Sequence, residues 1–215
     1  MKIAVVTFEG FNEIDSFVAL YMLNRVRVAG WKAEIASPSA TVTSMNGVRI
    51  EAQRPLEFAN EADVVLMGSG RLTREIVADQ GVMSRLRLDP GRQLVGSQCS
   101  GALVLARLGL LGASPACTDL VTRPYLEAAG VQVIGESFHA TGNVATAGGC
   151  LSAQYLAAWV VGRQLGLGAL EEMLTYVAPV GEGAQYLART LSVVRPFLGP
   201  PREGEGEGAS SPVIR

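Results

Sequence analysis

The stretch from Arg92 to Gly112, RQLVGSQCSGALVLARLGLLG, joins a short apolar strand to an apolar helix through a cysteine. Residues 94–96 predict a buried strand, and the helical spacing of the leucines predicts a helix from Gly101 to Leu110. Cys99 lies between the two. A small residue two positions before it, Ser97, and a glycine two positions after it match the spacing of a nucleophile elbow. Small residues are needed there because the chain turns so tightly that larger side chains would collide.

The position of Cys99 at the start of a helix predicts a reactive thiol. The positive end of the helix dipole and the unpaired backbone N–H groups favour the thiolate, and the same N–H groups can hold negative charge on a substrate. The alternative interpretation is a cysteine that fills space in the core, because cysteine is among the most buried residue types.

Composition excludes several classes of protein. Of the 215 residues 48% are hydrophobic and 18% charged, and the net charge is −2 with no run of lysine or arginine, so we expect no nucleic acid partner. Apolar runs stay shorter than the roughly 18 residues of a membrane span, so we expect no membrane association. The first residues, up to Glu9, predict a strand rather than a signal peptide.

The three cysteines, Cys99, Cys117 and Cys150, are odd in number and widely spaced. This pattern predicts free thiols in a reducing compartment, hence a cytoplasmic location, and no metal site. The sequence Gly68-Ser69-Gly70 begins like a dinucleotide fingerprint, but Thr73 stands where the third glycine would be. We therefore expect no cofactor.

Apolar strands alternate with helical segments along the chain. This order predicts an α/β fold with a doubly wound, mostly parallel sheet and helices on both faces. The predicted strands are residues 2–8, 32–36, 64–67, 94–96, 116–118 and 131–135, with hairpins at Asn46-Gly47 and Gly142-Asn143; the predicted helices are residues 15–28, 72–78, 82–88, 101–110, 120–129, 148–165 and 170–176. We expect one domain over residues 1–195 and a flexible tail over 196–215, which is rich in Gly, Pro and Glu.

Three loops with chemistry-bearing residues follow predicted strands. They are residues 9–15, residues 68–71 and the Cys99 elbow. Ligands of doubly wound sheets bind beyond the carboxyl ends of the strands, so these loops predict a site for a small-molecule substrate.

The sequence resembles the ThiJ/PfpI superfamily, whose fold is similar to class I glutamine amidotransferases, and within it the isonitrile hydratase branch. The resemblance covers nearly all of residues 1–190 and rests on the segments IAVVTFEGFNEIDSFVAL, DVVLMGSG, VGSQCSGALVLARLGLL, GNVATAGGCLSAQYLAAWV and YVAP. It implies a nucleophile at Cys99, a carboxylate at Asp15, oxyanion donors at the backbone N–H groups of Gly70 and Ser100, and a homodimer. Glu13 is the alternative carboxylate.

The chain departs from the superfamily pattern at two places. Relatives usually carry Pro-Gly-Gly where this chain has Gly68-Ser69-Gly70, and many carry a histidine where Asp119 stands. Asp119 is either part of the substrate site or a cap of the following helix, and Cys117 is either a pocket residue or a packing residue. The single histidine, His139, is predicted on a hairpin strand outside the three loops, so a Cys-His pair is not expected.

A protonated Asp15 could supply a proton while Cys99 attacks, which suits the conversion of an isonitrile to an N-substituted formamide. Two other functions remain open. One is a redox sensor or stress-response protein in which Cys99 oxidises without turnover, and the other is a hydrolase of an unknown small substrate. The superfamily also contains ligand-sensing domains of transcription regulators, but no basic helix supports DNA binding here.

Overall fold

The structure, a computed structural model, describes residues 1–199. The predicted tail therefore lies outside the described residues from residue 200 onward. The strands are β1 (Lys2–Val6), β2 (Lys32–Ser37), β3 (Thr41–Thr43), β4 (Arg49–Glu51), β5 (Arg54–Pro55), β6 (Val64–Met67), β7 (Leu94–Gln98), β8 (Phe138–Thr141) and β9 (Val144–Ala147). The helices are α1 (Glu13–Leu23), α2 (Phe58–Glu61), α3 (Thr73–Ala78), α4 (Gln80–Met83), α5 (Gly101–Arg107), α6 (Arg123–Ala128), α7 (Ala153–Val177) and α8 (Gly183–Val194), with 3-10 turns at Cys150–Ser152 and Arg195–Phe197.

Seven strands form one sheet in the order β5-β2-β1-β6-β7-β9-β8. All neighbours are parallel except β8 and β9, which form an antiparallel hairpin. The short strands β3 and β4 form a separate hairpin around the predicted Asn46-Gly47 turn. The mostly parallel, doubly wound sheet expected from the alternation of elements is confirmed.

Helices cover both faces of this sheet because the central strands are apolar on both sides. On one face α1, α7 and α8 pack over Ile3, Val64 and Leu66. On the other face α2, α4, α5 and α6 pack over side chains such as Val65 and Met67. The core thus consists of two apolar layers, one on each face of the sheet. Both layers pack against the central strands that end at the candidate site.

Some elements differ from those predicted. Helix α1 ends at Leu23, because the Asn24 side chain bonds the backbone of Ala33 and turns the chain into β2. The strands predicted at residues 116–118 and 131–135 reduce to a single bridge between Ala116 and Val133. The two helices predicted at 148–165 and 170–176 correspond to the two segments of α7, which are separated by a kink at Gly166, where φ is 83° and ψ is 179°. Helix α8 was not predicted.

Helix α7 packs against the sheet and contributes many buried side chains to the core. The Trp159 side chain is fully buried, and its indole Nε1 donates to the carbonyl oxygen of Phe197 at 3.3 Å. The Phe197 ring also packs edge-on against Phe138 of β8, with centroids 5.5 Å apart. Residues just beyond the predicted domain boundary at 195 therefore contact the core. Within residues 1–199 no helix has both the length and the apolar character needed to cross a membrane.

The nucleophile elbow connects β7 to α5 as the residue spacing predicted. Cys99 has a φ of 46°, the only positive φ at a non-glycine position in the described chain, which is a strained conformation for an L residue. Its N–H bonds to the carbonyl oxygen of Ala147 at 2.8 Å. A Cβ on Gly101 would lie 2.6 Å from Met67 O and 2.7 Å from Gly68 O. The absence of a side chain at position 101 is therefore what allows α5 to start beside β6.

We expect Gly101→Ala to destabilise the fold by about 1–3 kcal/mol, because the new methyl group forces backbone of α5 and β6 apart. Gly168→Ala is the matched control, since its Cβ would contact nothing within 4 Å and α7 would gain helix propensity. Urea unfolding monitored by circular dichroism measures both variants. Equal midpoints for Gly101→Ala and the wild type would contradict this account of the elbow.

Candidate functional site

Four loops meet at the carboxyl ends of the central parallel strands. They are the β1 loop (residues 7–12), the β6 loop (residues 68–72), the elbow (residues 97–101) and the β9 loop (residues 148–149). Sequence analysis predicted the first three. The fourth leads directly into Cys150, so the sheet edge carries a second cysteine.

The β1 and β6 loops are bonded to each other through their backbones. The N–H of Asn12 donates to Ser69 O at 2.8 Å, and the N–H of Arg71 donates to Gly10 O at 3.0 Å. A Cβ on Gly70 would lie only 2.5 Å from Gly10 O. This close approach requires glycine at position 70 and fixes the start of α1 beside the β6 loop.

Asp15 lies in the first turn of α1 and is only 2% exposed. Its Oδ2 accepts a short hydrogen bond from Ser69 Oγ, and no amide or hydroxyl group of residues 1–199 donates to its Oδ1. The carboxylate of Asp15 and the sulfur atoms of Cys99 and Cys150 all lie within 4.8 Å of one another. A carboxyl group and two thiols therefore face each other at the edge of the sheet.

Burial changes the proton affinity of these groups. Desolvation raises the pKa of the Asp15 carboxyl, although the Ser69 hydrogen bond partly offsets it. Desolvation, followed by the charge of Asp15, raises the pKa of the Cys99 thiol well above its usual range. The expectation of a thiolate stabilised by the helix dipole is therefore wrong. Since α5 spans only Gly101–Arg107 and the thiol is 4% exposed, burial outweighs the dipole.

A cavity of about 310 Å³ opens above Cys99 and Asn12. Its walls combine apolar side chains with two arginines; they include Met45, Leu103, Val121, Tyr125, Arg71 and Arg74. The Arg74 guanidinium lies 4.6 Å from the centre of the Tyr125 ring and donates to its hydroxyl. The space accommodates a small molecule with an apolar substituent.

Ser100 connects the elbow to the β6 loop. Its Oγ accepts the N–H of Gly70 at 3.2 Å and lies 2.8 Å from Thr73 Oγ1. The Gly70 N–H is one of the two oxyanion donors predicted from the resemblance. In this structure it is paired with the Ser100 hydroxyl, so a substrate would have to replace that hydroxyl to use it.

Asp119 lines the cavity but is also bonded to its own turn. Its carboxylate accepts the N–H groups of Val121 and Thr122, each at 2.9 Å, and the Thr122 hydroxyl at 2.6 Å. The residue therefore stabilises the turn before α6 and forms part of the cavity wall. It is not the cap of α6, whose N-cap residue is Thr122, and its contact with a substrate stays a prediction. Its negative charge adds to the effects that raise the pKa of Cys99, after burial and the charge of Asp15.

Two other residues singled out from the sequence, Cys117 and Glu13, lie outside the cavity lining. Cys117 is fully buried, its N–H bonds Thr146 Oγ1, and burial raises its pKa to about 11. Glu13 accepts hydrogen bonds from Ser44 and Asn46, which lower its pKa. Of the two candidate carboxylates, Asp15 is the one beside Cys99.

His139 lies on β8, as predicted. Its Nε2 is 3.2 Å from Thr141 Oγ1, and its ring packs against Phe197 with centroids 5.3 Å apart. The only histidine of the sequence is therefore placed in a packing environment, and the polar partners of Cys99 are a carboxyl, a thiol and an amide.

The chain also matches a known protein family at the level of sequence. The sequence profile of the DJ-1/PfpI family matches residues 1–163. The chain belongs to the DJ-1/PfpI family. A comparison with curated proteins returned no match.

Solved structures of DJ-1/PfpI proteins have the same fold. A ThiJ/PfpI family protein from Pseudomonas syringae aligns with a TM-score of 0.70 and 21% identity over 92% of this chain and 87% of that chain. Schizosaccharomyces pombe DJ-1 aligns with a TM-score of 0.64 and 16% identity over 89% and 99%. A ThiJ/PfpI domain protein from Brachyspira murdochii gives 0.66 and 20% over 75% and 94%. These TM-scores establish a shared fold, and at such low sequence identity the comparison carries nothing beyond the fold.

Sequence reasoning missed Asn12, Ser69 and Cys150 as members of the site. Ser69 stands between the glycines of the β6 loop, and Asn12 caps α1 by accepting the N–H of Ile14 at 3.1 Å. The signal for Cys150 was present, because it follows a predicted hairpin strand closely enough to reach the same sheet edge.

We expect Asp15→Asn to stabilise the protein more at neutral pH than at acidic pH. The folded pKa of Asp15 is raised above its ordinary value of 3.8. The protonated carboxyl therefore favours the fold at low pH, and this contribution is lost as the pH rises through the folded pKa. Urea midpoints measured across the acidic and neutral range test the trend.

Glu13→Gln is the matched control, because the pKa of Glu13 is lowered in the folded protein. Its stabilising effect is present at neutral pH and lost as the pH falls, so this variant should lose stability mainly at neutral pH. If the two variants shared one pH trend, the assigned direction for Asp15 would be incorrect.

Proposed function

We propose that this DJ-1/PfpI protein is a lyase that hydrates isonitriles to N-substituted formamides, with Cys99 as nucleophile and Asp15 as general acid. The observation that carries the proposal is the direct approach of a carboxyl, whose pKa is raised by burial, to a strained thiol that lines a cavity. Both groups hold their protons more tightly than usual, which suits a reaction that begins with protonation of carbon.

An isonitrile fits this site in size and charge. It is neutral, its terminal carbon is slender, and its substituent is apolar in the simplest cases. The cavity of about 310 Å³ is lined by Cys99 and has Met45, Leu103 and Val121 in its walls. The substituent would lie among these side chains while the terminal carbon reaches the thiol.

The first step adds the thiol across the isonitrile carbon. Asp15 gives its proton to that carbon, and the resulting nitrilium ion is a strong electrophile. The Cys99 sulfur attacks it, and the thiol proton passes to the Asp15 carboxylate. A thioimidate attached to Cys99 results, and Asp15 ends the step protonated again.

The second step adds water to the thioimidate. The water oxygen bonds to the former isonitrile carbon, and the C–S bond then breaks to release the formamide and return the thiol proton to Cys99. The hydroxyl of Ser100 and the N–H of Gly70 line the cavity beside this carbon and are proposed to orient the water. Asp119 and Cys117 were the other predicted contacts, and we propose for Asp119 only a role in shaping the wall.

The raised pKa of Cys99 favours this chemistry over a peroxide sensor that uses Cys99 alone. A peroxide reacts with the thiolate, which burial disfavours here. A nitrilium ion is electrophilic enough to accept a thiol whose proton leaves to a carboxylate in contact. The second candidate function is hydrolysis of another small electrophile, in which Cys99 would form a thioester instead of a thioimidate.

We expect wild-type protein to form N-substituted formamides from a panel of aliphatic and aromatic isonitriles, detected by liquid chromatography with mass spectrometry. Cys99→Ala should abolish turnover, and Asp15→Asn should lower kcat/KM by roughly 10²–10⁴-fold because the general acid is lost. Glu13→Gln, the matched carboxylate control outside the cavity, should retain turnover.

Formamide that accumulates equally with Cys99→Ala would refute a role for this cysteine. Absence of formamide from every isonitrile with the wild type would remove the reaction, and the panel would then be replaced with small esters and amides.

We also propose that the protein is a homodimer in a reducing, cytoplasmic environment, where its three free thiols would persist. Helix α1 leaves the apolar side chains of Ile14 and Tyr21 45% and 51% exposed. They border a cleft of about 370 Å³ that includes Phe17 and Tyr186. A second copy packed on this face would cover the cleft.

We expect Ile14→Lys to weaken dimerisation by at least 10-fold, because a buried unpaired charge at an interface costs several kcal/mol. Val48→Lys, which changes an exposed valine of the β3–β4 hairpin, is the control. Sedimentation velocity over a range of concentrations measures the dissociation constant. A wild-type protein that stays monomeric at all concentrations would exclude the dimer.

A further inference from the structure

Cys150 is the one thiol of the site that the proposed reaction does not use. Its sulfur lies within 4.8 Å of both the Cys99 sulfur and the Asp15 carboxylate, yet Cys150 is exposed to solvent whereas the other two residues are buried. Desolvation and then the charge of Asp15 raise the pKa of the Cys150 thiol, and the hydrogen bond that its sulfur accepts from Asn12 Nδ2 at 3.2 Å partly offsets them. Because it is exposed, Cys150 is the thiol that dissolved oxidants reach first.

The Gln98 side chain and the turn at Gly149 hold the two thiols close together. The Gln98 side chain donates from Nε2 to Gly149 O at 2.7 Å, and the same nitrogen is 3.5 Å from Cys99 Sγ. The side-chain amide of Gln98 thus contacts both the residue before Cys150 and the sulfur of Cys99. Gly149 has a φ of 88°, a conformation that glycine adopts far more readily than other residues, so the turn into Cys150 depends on the absence of a side chain at position 149.

The third cysteine is separated from this pair. Cys117 is fully buried and is outside the cavity lining, whereas Cys99 and Cys150 both line the cavity. Proximity therefore selects a single intramolecular pairing among the three thiols. A disulfide requires about 2.05 Å between sulfur atoms, so the two sulfurs, which lie within 4.8 Å of each other, have to approach further for the bond to form.

We propose that Cys150 is a redox-active thiol that hydrogen peroxide oxidises first and that then forms a reversible disulfide with Cys99. In the first step Cys150–SH and H₂O₂ give Cys150–SOH and water. In the second step the Cys99 sulfur attacks the Cys150 sulfur, the S–O bond breaks, and the disulfide and a second water form. Cys99 and Cys150 each give up one electron to the peroxide.

Asp15 is positioned for the proton transfer in the second step. Cys99 must lose its proton as it attacks, and the Asp15 carboxyl beside it takes up that proton on one oxygen while it gives its own proton to the departing hydroxide. The hydroxide leaves as water, and Asp15 ends the step protonated. Asp15 thus overcomes the high proton affinity of Cys99 in this reaction as well.

The disulfide ties up the proposed nucleophile. This consequence rests on the proposed function, whereas disulfide formation itself rests only on the placement of the two thiols. Oxidation would close the site reversibly and protect Cys99 from the irreversible sulfinic and sulfonic acids.

The test treats the full chain with hydrogen peroxide, blocks remaining thiols in denaturant and maps peptides by mass spectrometry. We expect one cross-linked peptide pair containing Cys99 and Cys150, with the loss of two hydrogens, and its disappearance after dithiothreitol. Cys117→Ala should give the same pair. Sulfinic acid at either cysteine without the cross-link, or a cross-link that includes Cys117, would overturn the proposal.

The order of the two steps is tested with a dimedone label for sulfenic acid. Cys99→Ala should carry the label at Cys150, and Cys150→Ala should carry little at Cys99 because that thiol is buried. The reverse pattern would overturn the assignment of Cys150 as the first thiol.

The two proposals are kept apart by their readouts. The cross-link is seen by mass whether or not isonitriles are turned over. If turnover is present, the ratio of peroxide-treated to untreated activity should fall at least 10-fold in the wild type and recover with dithiothreitol. An equal fall in Cys150→Ala, without recovery by dithiothreitol in either protein, would show that the disulfide does not control the site.

Discussion

The site depends on a steric constraint between the elbow and the neighbouring strand. Gly101 lies so close to the carbonyl oxygens of Met67 and Gly68 that a single methyl group would not fit. This contact lets α5 begin directly after Cys99 and holds the cysteine at a φ of 46°. The thiol is thereby fixed at the sheet edge instead of being free to rotate away with a flexible loop, which is the value of backbone strain at a reactive residue.

The chemistry of the site follows from burial of like groups in one place. Asp15, Cys99 and Cys150 can each become anions, and they lie within 4.8 Å of one another. Mutual repulsion among the three groups, together with the burial of Asp15 and Cys99, therefore favours states in which protons are shared among them. Such a group exchanges protons readily with a bound molecule, and it links a proposed addition reaction to a proposed thiol oxidation through the same carboxyl.

The fold was largely predictable because its apolar strands and turn dipeptides are local signals. Strand β6 has the bounds predicted for it, and the β8–β9 hairpin turns at Gly142-Asn143 as expected. Helix α8 was missed although Leu187, Leu191 and Val194 have helical spacing. The resemblance and the elbow spacing pointed to Cys99 and Asp15, and the structure places them together. The proton affinity of Cys99 could not be predicted, because it depends on burial by loops distant in sequence. The approach of Cys150 required knowing where β9 ends relative to β7.

The edge of the sheet formed by β5 is poorly suited to pair with a further strand. Edge strand β5 consists of two exposed residues, Arg54 and Pro55. Proline has no N–H to offer, and arginine places a charge where an incoming strand would pair. This edge is therefore a poor template for another chain. Pairing of strands between copies is therefore disfavoured at this edge, which leaves β8 as the edge of the sheet where a further strand could add.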